Sequence, residues 1–521
     1  MQDFLRRDWP LAALGLVAFL LVLPLWLVTS PAMPDYPAHL AGFHLTAGAA
    51  AQKPLSEFYT IEWRLLPNLA SDILVPLFAQ VLPLEIAVKL FLSLTVIFWV
   101  TGAGLIHRAV TGKVGAVALA GALFATNANF TWGFLNYTFG AGLSFLAFAA
   151  WVKFREKLTA KVIVAFTLVT FVLYVCHLFA ACILVLLIGS YELTAILKAG
   201  EFDLKKLFPR AWRIAIMFVP TAAASLFFKS AGGEGGSIEF NYGDTIGDRF
   251  GSAAQWAYGN PAYLVIGGLS ILILAGLAYG KLRVHPAMKL TVLILAALTL
   301  VAPEWALGGW GVDMRLPPVL GVITFASLQL RADKRIAMGF GALVVLIAGI
   351  NAATLTTDWR SHDKQFQEFR AATRVMPPGS KLFTVLDGDA LSDISDQPYW
   401  HMAEFAIVDR GAFTPLMFTT KGQHIVQLKR PYDQIAAATA QQGSPPDATE
   451  LTNLSLGRED ADPDIKEVFP YLKYFQCRFD YAVIVHGGGQ QADVPAFLQL
   501  VHSGSFFSLY KIHPTGICAA P

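Results

Sequence analysis

The chain has 521 residues, 55% hydrophobic and 15% charged, with a mean hydropathy of +0.52. Soluble domains carry about 25% charged residues, so this deficit argues against an ordinary soluble globule and indicates a polytopic membrane protein. A net charge of +2 is too small to argue for a nucleic-acid partner.

Arg6 and Arg7 precede an apolar run over 11–30. The run matches the ~20 residues a bilayer needs. No Ala-x-Ala-type cleavage site follows it, so it reads as a retained first helix. The stretch 31–72 comes next, opening Pro-Ala-Met-Pro-Asp-Tyr-Pro-Ala-His-Leu and carrying Asp35, His39, His44, Asn68 and Asp72. Within it an amphipathic helix is expected over 38–52. The apolar segment 69–82 is too short to span and suits a re-entrant or interfacial helix. Apolar runs then recur, and membrane helices are expected at 11–30, 84–106, 114–127, 137–152, 162–176, 179–197, 212–228, 261–280, 286–303, 316–330 and 336–355. No Gly or Pro marks the break expected at His177.

Lysine and arginine collect in cytoplasmic loops. With the N-terminus inside, the inner turns hold 18 of these cations and the outer loops before the tail hold 5. That bias requires 114–152 and 160–198 each to cross twice, which gives eleven spans with the C-terminus outside. The Gly-rich outer loop 231–260 reads either as a lid or as a plain connector.

From about Thr356 the character changes. Strands are expected at 381–386, 405–408, 481–485 and 506–512, with helices at 365–375 and 495–502. These define a C-terminal α/β domain, 356–521, after a transmembrane domain, 1–355. On the outer side Cys477 and Cys518 are a candidate disulfide. Cys176 and Cys182 read as ordinary buried thiols. With no Cys-x-x-Cys present, a zinc ribbon has no support. Asn129, Asn136 and Asn453 match the glycosylation pattern by chance.

Outer-face polar residues cluster in four places: Asp35, His39 and His44 with Asn68 and Asp72; the run 127–140 with Asn136 and Tyr137; His177; and the run 304–315 with Glu304, Asp313 and Arg315. An ionisable group near the bilayer is costly unless it meets a cavity or partner. Asp35, held between Pro34 and Pro37, can take a proton from an acceptor hydroxyl, or it can simply cap a helix. Arg315 can grip a phosphate with its planar fork, or it can pair with Asp313. Glu304 and Asp72 are further acids, and His177 can line the cavity or satisfy a backbone carbonyl. His39 and His44 are five apart, a poor spacing for one metal. Trp132, Phe134, Tyr137, Trp305 and Trp310 read mostly as interfacial aromatics.

The order of elements, with Pro34-Asp-Tyr-Pro-Ala-His-Leu, Pro67-Asn-Leu-Ala-x-Asp and Asn136-Tyr-x-x-Gly, resembles the GT-C superfamily of membrane glycosyltransferases in uncharacterised bacterial proteins. The resemblance implies a polyprenyl-phosphate sugar donor, an acceptor on the periplasmic face of the inner membrane, and an inverting transfer with Asp35 as base. Arg315 would hold the leaving phosphate, with Asp313 and His177 beside it, and His39 would assist. Where the family commonly has Asp-Glu, this chain has Asp35-Tyr36, so a divalent cation remains open. No Gly-rich phosphate loop calls for a soluble nucleotide. A polysaccharide ligase or polymerase is the nearest enzyme alternative, but its Arg/His-rich late loop is missing here. A transporter or assembly protein is the other, but no internal repeat is visible.

Overall fold

The computed structural model describes residues 9–199, 204–228, 240, 245–259, 262–306, 310–388, 391, 397–436, 445–448, 451–455, 469–487 and 494–514. The chain divides into two compact units. One comprises Met1–Leu27, Leu65–Ala70 and Leu90–Thr356; the other comprises Val28–Arg64, Ser71–Lys89 and Thr357–Pro521.

The first unit is helical. Each of the eleven apolar runs contains helical backbone, but 316–330 ends in the strand Leu328–Leu330, paired antiparallel with Leu282–Val284. Among the described residues five helices are long and apolar enough to cross a membrane: Trp9–Trp26, Leu84–Thr111, Leu135–Phe154, Leu178–Ala199 and the first part of Lys334–Ala372. Others are shorter than expected. The run 114–127 forms only Ala118–Ala122 with the 3-10 turn Leu123–Thr126, and 212–228 is split between Leu204–Ile216 and Val219–Phe228. The outward faces are apolar: Leu168, Ile271, Leu274 and Leu293 are each more than 60% exposed. Rows of exposed leucine and isoleucine on successive helices are stable against hydrocarbon rather than water.

Inside the unit the helices pack closely. A Cβ on Gly140 would stand 2.6 Å from the Ala180 Cβ and 3.1 Å from the Cys176 Cβ. Small residues at such contacts let backbones approach where lipid supplies no hydrophobic drive. Buried polar groups are tied in pairs: Ser190 Oγ donates to Thr291 Oγ1 at 2.9 Å, and Trp99 Nε1 to the Thr138 carbonyl at 2.7 Å. The break at His177 is real. Its backbone is extended (φ −169°, ψ 136°) between Ala160–Cys176 and Leu178–Ala199. Cys176 is buried, but Cys182 is exposed on the outward face, contrary to expectation.

The second unit is α/β. Its four-stranded sheet runs Leu382–Leu386, Tyr481–Val485, Phe507–Ile512, Leu498–Ser503, with the first pair parallel and the rest antiparallel. The first two strands are buried along their whole length. Two expectations reverse here. Residues 405–408 lie in the helix Phe405–Arg410, ended by Gly411 in the left-handed conformation (φ 61°). Four consecutive apolar residues have no period that separates a buried strand from a helix. Residues 495–502, expected as a helix, contribute to the strand Leu498–Ser503, which is recruited by its hairpin partner Phe507–Ile512.

The loop after the first helix belongs to this second unit. Tyr59–Ile61 pairs antiparallel with Val426–Leu428, and the helix Tyr36–Thr46 buries Tyr36, Ala38, Leu40, Ala41, Phe43 and Leu45. The sequence predicts an amphipathic helix lying on a leaflet over 38–52. The helix is instead buried nearly all round, because it packs against Phe405–Arg410 and contributes Ala41 and Leu45 to the core containing Phe383, Phe413, Tyr471 and Phe475. The expected domain boundary near Thr356 lies inside one unbroken helix, Lys334–Ala372, since no Gly or Pro interrupts that segment near the boundary. The expected lid 231–260 is partly helix: Ile246–Tyr258 is opened by a capping box between Thr245 and Asp248. Residues 231–239, 241–244 and 260 lie outside the described residues.

Candidate functional site

In the first unit Asn127 caps the short helix Ala128–Trp132 by accepting from the Asn129 and Phe130 amides. Gly133 ends that helix with φ 116°, a backbone angle a side chain rarely takes. The chain turns directly into Leu135–Phe154, so Phe134 and Tyr137 project together. Val312–Ser327 brings Arg315 to them. The Arg315 guanidinium lies over three rings, Phe179 at 5.0 Å, Phe134 at 5.2 Å and Tyr137 at 5.6 Å from the ring centroids. Tyr137 Oη donates to the Arg315 carbonyl at 2.5 Å, and Asn129 Nδ2 to the Met314 carbonyl at 2.9 Å, fixing the backbone on both sides.

Arg315 is 9% exposed, donates from Nη1 to the Trp310 carbonyl at 2.6 Å, and has no hydrogen-bond partner for Nε among the described residues. The expected alternative, an ion pair with Asp313, does not form. Asp313 Oδ2 pairs with Arg249 Nη1 at 2.6 Å, and Arg249 also donates to the Ala302 carbonyl at 2.7 Å. Arg315 is thus a buried cation with aromatic faces around it and no carboxylate of its own among the described residues. Burying an uncompensated charge costs several kcal/mol, and stacking on three rings offsets only part of that.

The other sequence candidates in this unit serve the same construction. His177 Nδ1 accepts the Phe179 amide at 3.1 Å, which leaves the proton of the neutral ring on Nε2, and its ring meets Tyr137 edge-on at 5.6 Å. Asn136 Nδ2 donates to the Asn68 carbonyl at 2.9 Å. Glu304 Oε1 accepts from Trp310 Nε1 at 2.9 Å. Trp132 and Trp310 are not isolated interfacial residues: with Phe134 and Trp256 they form one aromatic cluster, the centroids 5.6–6.4 Å apart. Arg249, Trp256 and Phe179 were not among the candidate site residues of the sequence, because the partners that give them a place here, Asp313, Trp310 and Arg315, lie more than 40 positions away.

In the second unit Asp35 is the N-cap residue of Tyr36–Thr46, yet its side chain makes no cap hydrogen bond. It has no ion pair among the described residues, and burial pushes its carboxyl up to about 8. Tyr36, buried beside it, has no partner for Oη among the described residues. His39, one turn on, stacks on Phe43 at 5.9 Å and meets Phe418 edge-on at 5.2 Å. His44 does not join it; it lines a cleft of about 350 Å³ with Gly48, Gln52, Lys53 and Gly411. Burial holds His44 below its ordinary value, against the pull of Asp409 and Glu85. Asp72 lies in the first turn of Ala70–Ala79, beside Ser71.

Phe418 is a hub that the sequence did not reveal. His401 meets it at 4.7 Å and His424 stacks on it at 5.2 Å. His401 and Glu404 are fully buried with Nδ1 and Oε2 3.9 Å apart. Burial holds Glu404 up to about 8 and His401 down to about 3, so at neutral pH the contact is between uncharged groups. Glu404 Oε1 accepts from Thr414 Oγ1 at 3.1 Å, and Tyr59 Oη accepts from the Thr414 amide at 3.1 Å. The i, i+3 spacing of His401 and Glu404 is the signal that could have drawn attention. Among the described residues no group of three His, Cys, Asp or Glu side chains is arranged to hold a metal. Cys477 is disulfide-bonded; Cys518 lies outside the described residues.

The chain is similar over its whole length to ArnT from Cupriavidus metallidurans. Against the structure bound to undecaprenyl phosphate the TM-score is 0.53 with 10% identity, and against the apo structure it is 0.50 with 12% identity; each comparison covers 99% of both chains. At that identity the likeness establishes the fold. The sequence matches no protein-family model and no curated protein.

Proposed function

We propose that this protein is a membrane glycosyltransferase that moves a sugar from a polyprenyl-phosphate donor to an acceptor on the periplasmic face of a bacterial inner membrane. The observation that carries the proposal is Arg315, a buried cation caged by Phe134, Tyr137 and Phe179, whose neighbouring carboxylate is taken by Arg249. Such a group is stabilised by an incoming anion. The ArnT of like fold is described with undecaprenyl phosphate bound, which supports a lipid phosphate as that anion.

In this reading Arg315 holds the phosphate and the Nε2–H of His177 donates to it. Asp313, tied to Arg249, positions the start of the Arg315 helix rather than touching the donor. The acceptor oxygen attacks the anomeric carbon with inversion, its proton passes to the Asp35 carboxylate, and the C–O bond to phosphate breaks with the electron pair leaving on the lipid phosphate. A base near pH 8 is well matched to a hydroxyl at neutral pH. His39, in the first turn with Asp35, orients the acceptor. Eleven crossings, a cytoplasmic N-terminus and a periplasmic C-terminal unit follow from the 18 to 5 cation bias. The disulfide at Cys477 agrees with an oxidising compartment for that unit.

The test is thin-layer analysis of a labelled polyprenyl-phosphate sugar incubated with purified protein and membrane-extracted acceptor. Wild type should consume the donor, and Arg315→Ala and Asp35→Asn should not, with both variants extracted and folded as wild type. Undiminished transfer by Arg315→Ala would remove the phosphate role.

A further inference from the structure

Leu135–Phe154 has Tyr137 near one end and leads into Arg155 at the other. At 1.5 Å per residue these lie ~27 Å apart along the helix, close to the thickness of a bilayer core. The Arg155 end carries its own charged construction. Glu192, almost wholly buried, is gripped by Arg155 (Nε to Oε1 2.7 Å, Nη2 to Oε2 3.0 Å), by Arg210 Nε at 2.9 Å, and by Trp151 Nε1 at 3.0 Å. Arg210 also donates to the Arg155 carbonyl at 3.1 Å, so its guanidinium is fixed. Beside it opens a cleft of about 230 Å³ lined by Glu156, Leu158, Pro209, Arg210 and Arg213. Glu156 is spent on Arg155. Arg213 is exposed and has no ion pair among the described residues.

The helix that supplies these arginines, Leu204–Ile216, has a second face. Phe208 is 68% exposed and Trp212 54%. At 100° per residue Phe208 and Trp212 lie about 100–160° around the helix from Arg210 and Arg213. A basic helix with bulky aromatics on its other side lies in a membrane interface plane. We propose that this cleft seats the phosphate of an anionic phospholipid headgroup. Arg213 is its free cationic ligand, Arg210 the rigid wall, and Phe208 and Trp212 stand among the acyl chains. The inference rests on the membrane part of the reading above and not on its chemistry.

The full-length protein is placed in phosphatidylcholine nanodiscs with increasing phosphatidylglycerol. The thermal midpoint is followed, and retained lipid is counted by native mass spectrometry. Wild type should retain phosphatidylglycerol over phosphatidylcholine. Arg213→Ala should weaken that apparent affinity about fivefold, the factor equivalent to the ~1 kcal/mol each Lys or Arg contributes at an anionic surface. Arg213 is exposed, so the variant keeps its fold, and an unchanged circular dichroism spectrum checks this. Equal retention of the two lipids by wild type, or an unaltered preference in Arg213→Ala, overturns the proposal. So does full stabilisation by inorganic phosphate alone. Because lipid retention is the readout, a failure here is separable from a failure of sugar transfer.

Discussion

Replacing Asp35 with asparagine separates the two things this carboxyl does. In the native protein it titrates near 8, while in the unfolded chain it returns to its ordinary 3.8. Between those values the unfolded state has lost the proton and the native state still holds it. Folding stability therefore falls as pH rises through that window, by ~1.4 kcal/mol per pH unit, and levels off above the native value. The whole penalty is on the order of 5 kcal/mol, an upper figure because the carboxyl keeps some solvent contact. The amide that replaces it cannot ionise and escapes the penalty. At 2–4 °C per kcal/mol, the thermal midpoint of Asp35→Asn should match wild type near pH 4 and exceed it by roughly 10 °C at pH 8, then run parallel. Differential scanning fluorimetry in detergent from pH 4 to 9 reads this directly. Catalysis should move the opposite way. A base near 8 is about one-tenth ionised at pH 7, so wild-type kcat/KM should rise roughly tenfold from pH 7 to 9, and the variant should be inactive throughout. Midpoints that stay together at every pH would show that the carboxyl is not held protonated. A variant that transfers sugar normally would dismiss it as the base.

Arg315→Lys keeps the charge but loses the planar fork over Phe134, Tyr137 and Phe179, so donor KM should rise at least about tenfold with the fold intact; an unchanged KM would mean a point charge suffices. Phe383 is fully buried against Phe475 and Phe479 at 5.1 Å each. Phe383→Ala should cost about 3–5 kcal/mol and lower the melting transition of the C-terminal unit; an unmoved transition would place that ring outside the core. Glu404→Gln should be nearly neutral below about pH 4, because wild-type Glu404 is then largely uncharged in both folded and unfolded states. As pH rises toward 8 the wild type should lose stability relative to the variant, since only its unfolded state ionises. Midpoints that diverge in the other direction would mean that the carboxylate is charged in the native protein.

Composition and spacing alone made this a chain of apolar helices with an acidic loop after the first, and placed a change of character near Thr356. These are local properties: a run of some twenty apolar residues has few other fates, and the proline pair around Asp35 restricts its backbone whatever surrounds it. The strands at 382–386, 481–485 and 507–512 were also visible, because their apolar, β-branched and aromatic residues are contiguous.

What the sequence left open was settled by pairing across distance. Arg315 and Asp313 are two apart, and nothing local says that the carboxylate goes to Arg249 and leaves Arg315 to the aromatic rings. His401, His424 and His39 converge on Phe418 from three separate segments. Residues 405–408 become helix and 498–503 become strand because their tertiary neighbours outweigh weak local preference. The loop after the first helix joins the C-terminal unit because Ala41, Leu45 and Tyr59 find a larger apolar core there than the loop can build for itself.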